Sequence, residues 1–214
     1  MTHTLQDTEF WKERSAYDRH QDWRYSTKSW IDGYKESAGH PHREGILDAL
    51  DRLQPLHSLL EIGCSVGPNL SQIHKRFPKM RLVGIDPNEP SVEEAHHFVP
   101  DASVIIGDAR NLGSLFEMKS FDVVLADASL MYITPKEIRG VMDNVALVAK
   151  KVVIIVDRYS KSKLGKDTGH VWGRDYETLL KERGFKVHKM KITQEDWPLS
   201  PNWQKYGYYF IGVK

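Results

Sequence analysis

The sequence lacks the features that mark secreted, membrane-spanning and zinc-binding proteins. Its 214 residues include one cysteine, Cys64, which cannot form an internal disulfide and leaves no zinc-ligand spacing. The first residues, MTHTLQDTEFWKERS, contain no apolar run typical of a secretory signal. No stretch approaches the roughly 20 apolar residues that a membrane span requires. We therefore expect a cytoplasmic protein without membrane contact.

An excess of charge of one sign is also missing. The chain has 30 Lys and Arg against 29 Asp and Glu, a net charge of +1. Such balance provides no overall attraction to nucleic acid or to anionic membranes. We expect a small molecule as the partner rather than nucleic acid, and self-association stays open.

What the sequence does contain is an alternation of predicted strands and helices that begins near residue 57. Several of the strands are continuous runs of Val, Ile and Leu, which indicates burial on both faces of a mostly parallel sheet. The last two predicted strands alternate in polarity, show no convincing helix between them, and are expected to pair antiparallel at one edge. The sequence thus predicts a doubly wound α/β fold with a seven-stranded, mostly parallel sheet and an antiparallel edge strand. The predicted strands are HSLLEIG, RLVGID, SVIIGD, FDVVLAD, KVVIIVD, FKVHKMKI and KYGYYFIGVK.

The N-terminal segment is rich in aromatic and charged residues. Residues 7–52 predict two or three helices, with breaks at Gly33 and at AGHP and a last helix over HREGILDALDRL. The aromatic side chains either pack these helices on the sheet or form a lid over a site. We divide the chain into a helical lid segment, residues 1–40, and a ligand-binding domain, residues 41–214.

The loop from Gly63 to Gly67 matches two motifs. It spells G-x-S-x-G, the nucleophile elbow of serine hydrolases, and Asp157 and His170 follow Ser65 in the required order. However, Ser65 follows the first strand of the sheet and no HGGG-type segment precedes it. A glycine-rich turn at a ligand-binding crevice explains more of the sequence.

Carboxylates recur at the ends of the first four predicted strands. Because parallel strands end at one edge of a sheet, these side chains are expected in one crevice. The second of them can accept hydrogen bonds from ribose hydroxyls, whereas Glu61 beside the loop would oppose a pyrophosphate. A cationic ligand that carries a ribose fits better. The four residues are Glu61, Asp86, Asp108 and Asp127.

Four stretches resemble, in order, the motifs of class I S-adenosylmethionine-dependent methyltransferases. LLEIGCSVGPNL resembles the acidic residue and glycine-rich loop of the first motif, and LVGIDPN resembles the ribose-binding motif. IIGDARNL resembles the adenine-binding motif, and FDVVLADASLMYI resembles the fourth-strand motif at the transfer site. The ordered set is the specific signal. It implies a Rossmann-like methyltransferase fold that uses S-adenosyl-L-methionine as cofactor.

The resemblance also implies a role for each matching position. Ser65 stands where the class usually has its middle glycine, and its hydroxyl would touch the methionine carboxylate. The implied cofactor contacts are Glu61 at the amino end; Gly63, Ser65 and Gly67 along the methionine; Asp86 and Pro87 at the ribose; Asp108 and Ala109 at the adenine; and Asp127 beside the methionine or the acceptor.

Transfer to a hydroxyl requires a base near neutral pH. The catalytic candidates are His170, Tyr132 and Asp127, with His170 as the base because histidine titrates in that range. HVWGRDYETLLKERGF resembles a segment of bacterial small-molecule and glycan-associated methyltransferases. Tyr17 and Trp30 are the candidate lid residues. The expected acceptor is the hydroxyl of a sugar, a phenol or a natural product.

Two alternatives remain open. A catechol-type enzyme would hold Mg²⁺ between Asp127 and Asp157, but Arg158 occupies the position of the third ligand and opposes a cation, so we expect no metal. A protein or RNA methyltransferase would use the lysines of KSKLGK, but the fourth-strand motif is not the N-P-P-Y type. His40 and His42 are interpreted as a loop pair.

Overall fold

The computed structural model describes residues 8–14, 29–160 and 171–214. Within these ranges, seven strands form a single sheet in the order β3-β2-β1-β4-β5-β7-β6. The strands are β1 (Ser58–Ile62), β2 (Arg81–Asp86), β3 (Ser103–Ile106), β4 (Phe121–Asp127), β5 (Ala149–Arg158), β6 (Lys186–Lys191) and β7 (Gly207–Val213).

Strands β1 to β5 are parallel, and the order reverses at β1, which pairs with β2 on one side and β4 on the other. Glu61 pairs in register with Gly84 of β2 and Leu125 of β4, so the three strands end at one edge of the sheet. Strand β7 runs antiparallel to both β5 and β6. The predicted antiparallel pairing at one edge is confirmed, with the reversed strand lying second from the edge.

Helices cover both faces of the sheet. One core packs α3, α4, α5 and α9 on the first face, and a second core packs α6, α7 and α8 on the other. This arrangement confirms the doubly wound fold. The helices of the described residues are α1 (Thr8–Glu13), α2 (Trp30–Glu36), α3 (His42–Arg52), α4 (Pro68–Arg76), α5 (Glu89–Phe98), α6 (Leu112–Leu115), α7 (Ile138–Val148), α8 (Tyr176–Lys181) and α9 (Pro201–Tyr206).

Two predictions about local structure are wrong. Helix α9 lies between the last two strands, where no helix was expected, because six residues are too few to show a helical period. Gly33 lies inside α2 and does not break it. A glycine there costs about 1 kcal/mol relative to alanine, and burial of the neighbouring Trp30 and Ile31 offsets that cost. Among the described residues, no helix is both long and apolar enough to span a bilayer.

Candidate active site

A cavity of about 620 Å³ opens where β1, β2 and β4 end. Ten of the predicted site residues line this cavity. Tyr17 and His170 lie outside the described residues. The ten predicted residues that line the cavity are Glu61, Gly63, Ser65, Asp86, Pro87, Asp108, Ala109, Asp127, Tyr132 and Trp30.

The loop after β1 is built for a tight turn. Gly63 has φ 71° and Ser65 has φ 49°, both in the left-handed region. The amide of Ser65 donates to Asp86 Oδ2 at 2.8 Å, which ties the loop to the end of β2. The Ser65 hydroxyl is buried and has no hydrogen-bond partner among the described residues. With no base at that hydroxyl in this part of the chain, Ser65 lacks the surroundings of a nucleophile.

Gly67 does not belong to the cavity wall, contrary to the expected contact with a methionine moiety. It precedes α4 with φ 86°, and a Cβ there would approach Val99 Cγ2 to 2.9 Å. Gly63 is similarly constrained, because its Cβ would meet Ser129 Cβ at 2.5 Å. Glycine is therefore needed at both positions, because the backbone is left-handed and neighbouring side chains leave no room for a Cβ.

A cluster of buried oxygen acceptors lies at the end of β1. Asn69 Nδ2, in the first turn of α4, donates to Glu61 Oε1 at 2.6 Å and to Asp127 Oδ2 at 2.9 Å. Three further oxygens, Glu61 Oε2, Asn69 Oδ1 and Asp127 Oδ1, are buried without a partner among the described residues. Unpaired buried acceptors are costly. Grouped around one amide, they suit a ligand with several N–H donors, such as an ammonium group.

The two carboxyl groups of this cluster have opposite pKa shifts. Burial raises the pKa of Glu61 to about 8, since its one hydrogen bond from Asn69 only partly compensates. Burial also acts to raise the pKa of Asp127, but His42, Arg43 and Asn69 outweigh it and hold that pKa well below its usual range. At neutral pH the cluster therefore carries one proton on Glu61 and one negative charge on Asp127.

Asp86 and Asp108 both line the cavity, and both accept hydrogen bonds from backbone amides. Asp86 accepts from the amides of Ser65 and Asn88 at 2.8 and 2.9 Å, and burial raises its pKa to about 6. Asp108 accepts from the Arg110 amide at 2.9 Å and pairs with its guanidinium at 2.8 Å. A carboxylate oxygen has two lone pairs, so capping leaves acceptor capacity for a ligand.

The N-terminal residues cover the cavity from the side of α5. Asn88 Nδ2 donates to the carbonyls of Trp11 and Arg14 at 2.8 and 2.9 Å. The Trp11 ring meets Tyr132 edge-on at 5.0 Å, and Trp11, Trp30 and Tyr34 line the cavity. This is the position that a lid would occupy, with Trp11 as a cavity-lining residue that the sequence did not single out.

The sequence analysis did not predict that His40 and His42 line the cavity; His40 lies in the loop as expected, whereas His42 is the first residue of α3. His42 is only 2% exposed, and its Nε2 lies 2.8 Å from Asp127 Oδ2. Its ring stacks on Trp197 at 4.2 Å, and Trp197 stacks on Trp203 at 4.0 Å. A sequence signal existed: in HREGILDALDRL, Ile46 follows His42 by one helical turn and is buried on the same face.

Asp157 does not line the cavity that Asp127 lines. It is completely buried, accepts from the Tyr176 hydroxyl at 2.9 Å, and does not line the cavity. In the described parts of the chain, no cluster of three or more His, Cys, Asp or Glu side chains could hold a metal ion.

Comparison with known proteins finds similarity to methyltransferases. A family model described as a methyltransferase domain matches residues 59–151. Trans-aconitate 2-methyltransferase of Escherichia coli O1:K1 is 28% identical over 81 residues, which cover 38% of this chain and 31% of that protein. The chain thus matches about a third of the length of these curated relatives.

Solved structures resemble the chain over nearly its whole length. Magnesium protoporphyrin IX methyltransferase from Synechocystis PCC 6803, with bound S-adenosylhomocysteine, superposes with a TM-score of 0.65 at 15% identity, covering 97% of this chain and 94% of that one. A chain from the complex between the Haloferax volcanii Trm112 methyltransferase activator and a methyltransferase gives a TM-score of 0.60 at 17% identity, covering 84% and 96%.

The domain match and the shared fold indicate the same kind of protein. Residues 59–151 are similar to a methyltransferase domain, and the chain shares its fold with methyltransferases of known structure.

Proposed function

We propose that this chain transfers the methyl group of S-adenosylmethionine to a hydroxyl group of a small-molecule acceptor. The observation that carries the proposal is the group of unpartnered buried oxygens of Glu61, Asn69 and Asp127, in one cavity with Asp86. When bound, the cofactor supplies an electrophilic methyl group on a positively charged sulfur.

The residues present fit this cofactor. Its ammonium group would meet the free oxygens around Asn69, which removes the cost of leaving them unpaired. Asp86 would hold the ribose hydroxyls, and Asp108 with Ala109 would contact the adenine. The Ser65 hydroxyl would donate to the carboxylate. Binding energy at these groups fixes the orientation of the methyl group relative to an acceptor.

A small acceptor is supported by the size and lining of the cavity. Its volume falls within the range of roughly 300–1,000 Å³ that small-molecule sites occupy. Beyond Asp127 its wall includes Tyr132, Trp197 and Leu199. Burial raises the pKa of Tyr132 well above its usual value, so it stays a phenol and acts as a hydrogen-bond donor, not a base.

The first test measures cofactor binding. Isothermal calorimetry should show stoichiometric binding of S-adenosylhomocysteine, and Asp86→Asn should weaken it by about tenfold or more, since a lost bond to a charged group is worth about 1.5–3 kcal/mol. The control is Asp101→Asn, an exposed carboxylate in the turn after α5. Thermal melts confirm that both variants fold. A wild-type protein that binds neither cofactor nor product would overturn the proposal.

The second test identifies the acceptor. Cofactor consumption is measured with sugars, phenols, hydroxy acids, amines and thiols, and in parallel with bulk RNA and protein. We expect turnover with a hydroxyl compound. Turnover only with RNA or protein would refute the small-molecule assignment and leave the methyltransferase assignment intact.

A further inference from the structure

A buried arginine ties the segment before α8 to the wall of the cavity. Arg174 is 8% exposed, and its Nη1 donates to the Leu130 carbonyl at 2.8 Å while its Nη2 donates to the Ile133 carbonyl. Two residues before it, the amide of Trp172 donates to the Met131 carbonyl at 2.9 Å. This short segment therefore satisfies three carbonyls of one neighbouring stretch.

The stretch that is held in this way forms part of the cavity wall. Residues 130–133, here called the wall segment, all line the cavity and include Tyr132, the hydrogen-bond donor proposed above. They contain a single 3₁₀ turn, Leu130–Tyr132, that follows β4. A turn this short satisfies few of its own carbonyls, so donors from elsewhere in the fold must do so. The position of the wall segment consequently depends on Arg174 and Trp172.

The shape of the side chain and its fixed backbone suit Arg174 to this task. A guanidinium is a planar fork of five N–H donors, so two of its nitrogens can donate to two carbonyls at once. The backbone of Arg174 is anchored at the end of β5, because its amide donates to the Arg158 carbonyl at 2.9 Å and its carbonyl accepts from the Ser160 amide at 3.3 Å. The fork therefore extends from a fixed point of the sheet.

A buried carboxyl group lies close enough to balance the charge of Arg174. The Tyr176 hydroxyl lies 3.4 Å from Arg174 Nη1 and donates to Asp157 Oδ2 at 2.9 Å. Burial raises the pKa of Asp157 to about 7, and attraction by the guanidinium acts in the opposite direction. The ionised carboxyl group thus stabilises the buried guanidinium through the hydroxyl between them.

We propose that Arg174 is a positioning residue for methyl transfer, which fixes the wall segment, and with it Tyr132, relative to the acceptor. This inference rests on the proposed function. Arg174 does not itself line the cavity, so it acts through the backbone of the wall segment. The preceding residue has an anchor of its own, because the Ser129 hydroxyl donates to the Ile62 carbonyl of β1 at 2.8 Å. Loss of Arg174 should therefore displace the acceptor side of the cavity and leave the cofactor side in place.

NMR of protein with labelled tyrosine and tryptophan rings tests the positioning without any acceptor. The rings of Trp11 and Tyr132 meet edge-on with centroids 5.0 Å apart, so a nuclear Overhauser effect between their protons reports where Tyr132 lies. The wild type should show this effect both free and with S-adenosylhomocysteine. Arg174→Met should lose it or weaken it strongly, because the carbonyls of the wall segment no longer have their donor.

The matched control is Arg183→Met. The Arg183 side chain is 10% exposed and also donates to two backbone carbonyls, at 2.7 and 2.9 Å, but it does not line or hold the cavity wall. This variant should lose comparable stability and keep the effect between Trp11 and Tyr132. An undiminished effect in Arg174→Met, or an equal loss in both variants, would refute the positioning role. If Arg174→Met does not fold, Arg174→Lys, which keeps the charge but not the planar fork, should weaken the same effect.

Kinetics separate positioning from a general loss of structure, with the hydroxyl compound found by the screen. Arg174→Met should lower kcat/KM for this acceptor by about 10²-fold, the loss that a displacement of about 1 Å produces. The dissociation constant of S-adenosylhomocysteine should stay within about threefold, because the carboxyl groups proposed to hold the cofactor have separate anchors. Wild-type kcat/KM in Arg174→Met, or a parallel loss of cofactor affinity, would exclude the positioning role. A wild type that fails to bind S-adenosylhomocysteine would instead count against the proposed function, and the NMR spectra of the free protein would still decide whether Arg174 positions Tyr132.

Discussion

Three side-chain-bearing residues with left-handed backbones line the cavity: Ser65, Ala128 and Leu199, with φ of 49°, 51° and 61°. Such conformations cost of order 1–2 kcal/mol for an L-residue. They concentrate where a fold must bring backbone close to a ligand. Ala128 directly follows β4 and Ser65 lies in the loop after β1, so the strain lies near the strand ends where the proposed cofactor would sit.

Ser65→Gly should therefore preserve cofactor binding. Glycine adopts positive φ without strain, although it loses about 0.4–1 kcal/mol through the entropy of the unfolded chain. We expect the free energy of unfolding to change by less than about 1 kcal/mol and the dissociation constant of S-adenosylhomocysteine to stay within about threefold. Ser65→Val, with a branched side chain at positive φ, should be clearly destabilised. Loss of binding in Ser65→Gly would show that the hydroxyl is essential.

Glu61 should make cofactor affinity depend on pH. In the free protein its pKa of about 8 keeps it protonated at neutral pH, whereas an ammonium ligand favours the ionised form. Affinity should consequently rise with pH, by up to about tenfold per unit, and level off above the pKa. Calorimetry in two buffers of different ionisation heat would detect the released proton. Glu61→Gln should bind more weakly with a flat profile, and the exposed Glu117→Gln should match the wild type. A flat wild-type profile would contradict this assignment.

At the scale of elements, the sequence predicted what depends on local pattern. Local patterns of neighbouring residues predicted the strand runs, the start of α4 at Pro68 and the carboxylates at the strand ends. The structure confirms the fold that these patterns predicted. What the sequence could not predict depends on contacts between distant elements. Asn69 and His42 reach Asp127 across 58 and 85 positions. The helical periodicity of α3 and α4 carries no information about such a contact. The sequence analysis therefore did not predict that these two residues line the cavity.

One side chain with two functions helps to hold α1 over the cavity. Asn88 Oδ1 caps α5 by accepting from the Ser91 amide at 2.9 Å, while Nδ2 holds the carbonyls of Trp11 and Arg14. Serine is an equally good N-cap but cannot reach those carbonyls. Asn88→Ser should therefore keep the cap of α5 and remove the hydrogen bonds that hold α1.

We expect Asn88→Ser to keep the stability of the sheet and to release α1. Limited proteolysis should then cleave near Trp11 faster, and the dissociation constant of S-adenosylhomocysteine should rise by about 3–10-fold, as lost hydrogen bonds of about 0.5–1.5 kcal/mol imply. Asn202→Ser, at an exposed site on α9, is the control. Unchanged proteolysis would show that other contacts hold α1.

At the scale of the whole molecule, positive and negative charges nearly balance. The pH dependence of stability should therefore come from specific buried groups. A net charge of +1 produces little self-repulsion near neutrality. Three buried carboxyl groups have raised pKa values: Glu61 at about 8, Asp86 at about 6 and Asp157 at about 7. Burial is the largest cause in each case. Asp127 has a lowered pKa because His42, Arg43 and Asn69 outweigh its burial.

The sign of each contribution follows from linkage. A carboxyl whose folded pKa is raised stabilises the fold fully below its unfolded pKa of about 4, and this contribution is lost as the pH rises through the folded value. Asp127 contributes in the opposite sense, since its stabilisation is present above about pH 4 and is lost on acidification. The three raised groups therefore predict that the ligand-free protein loses stability as the pH rises from about 4 to 8.

Asp157→Asn isolates one of these contributions away from the proposed site. Asparagine can still accept from the Tyr176 hydroxyl but cannot ionise, so it removes the loss of stability between about pH 4 and 7. Denaturant unfolding at several pH values should show a flatter profile for the variant, with a difference of order 1–3 kcal/mol at pH 8. Affinity for S-adenosylhomocysteine should be unchanged, because Asp157 does not line the cavity. Stability that rises from pH 5 to 8 in the wild type, or an identical slope in the variant, would show that these buried carboxyl groups ionise at ordinary pKa values.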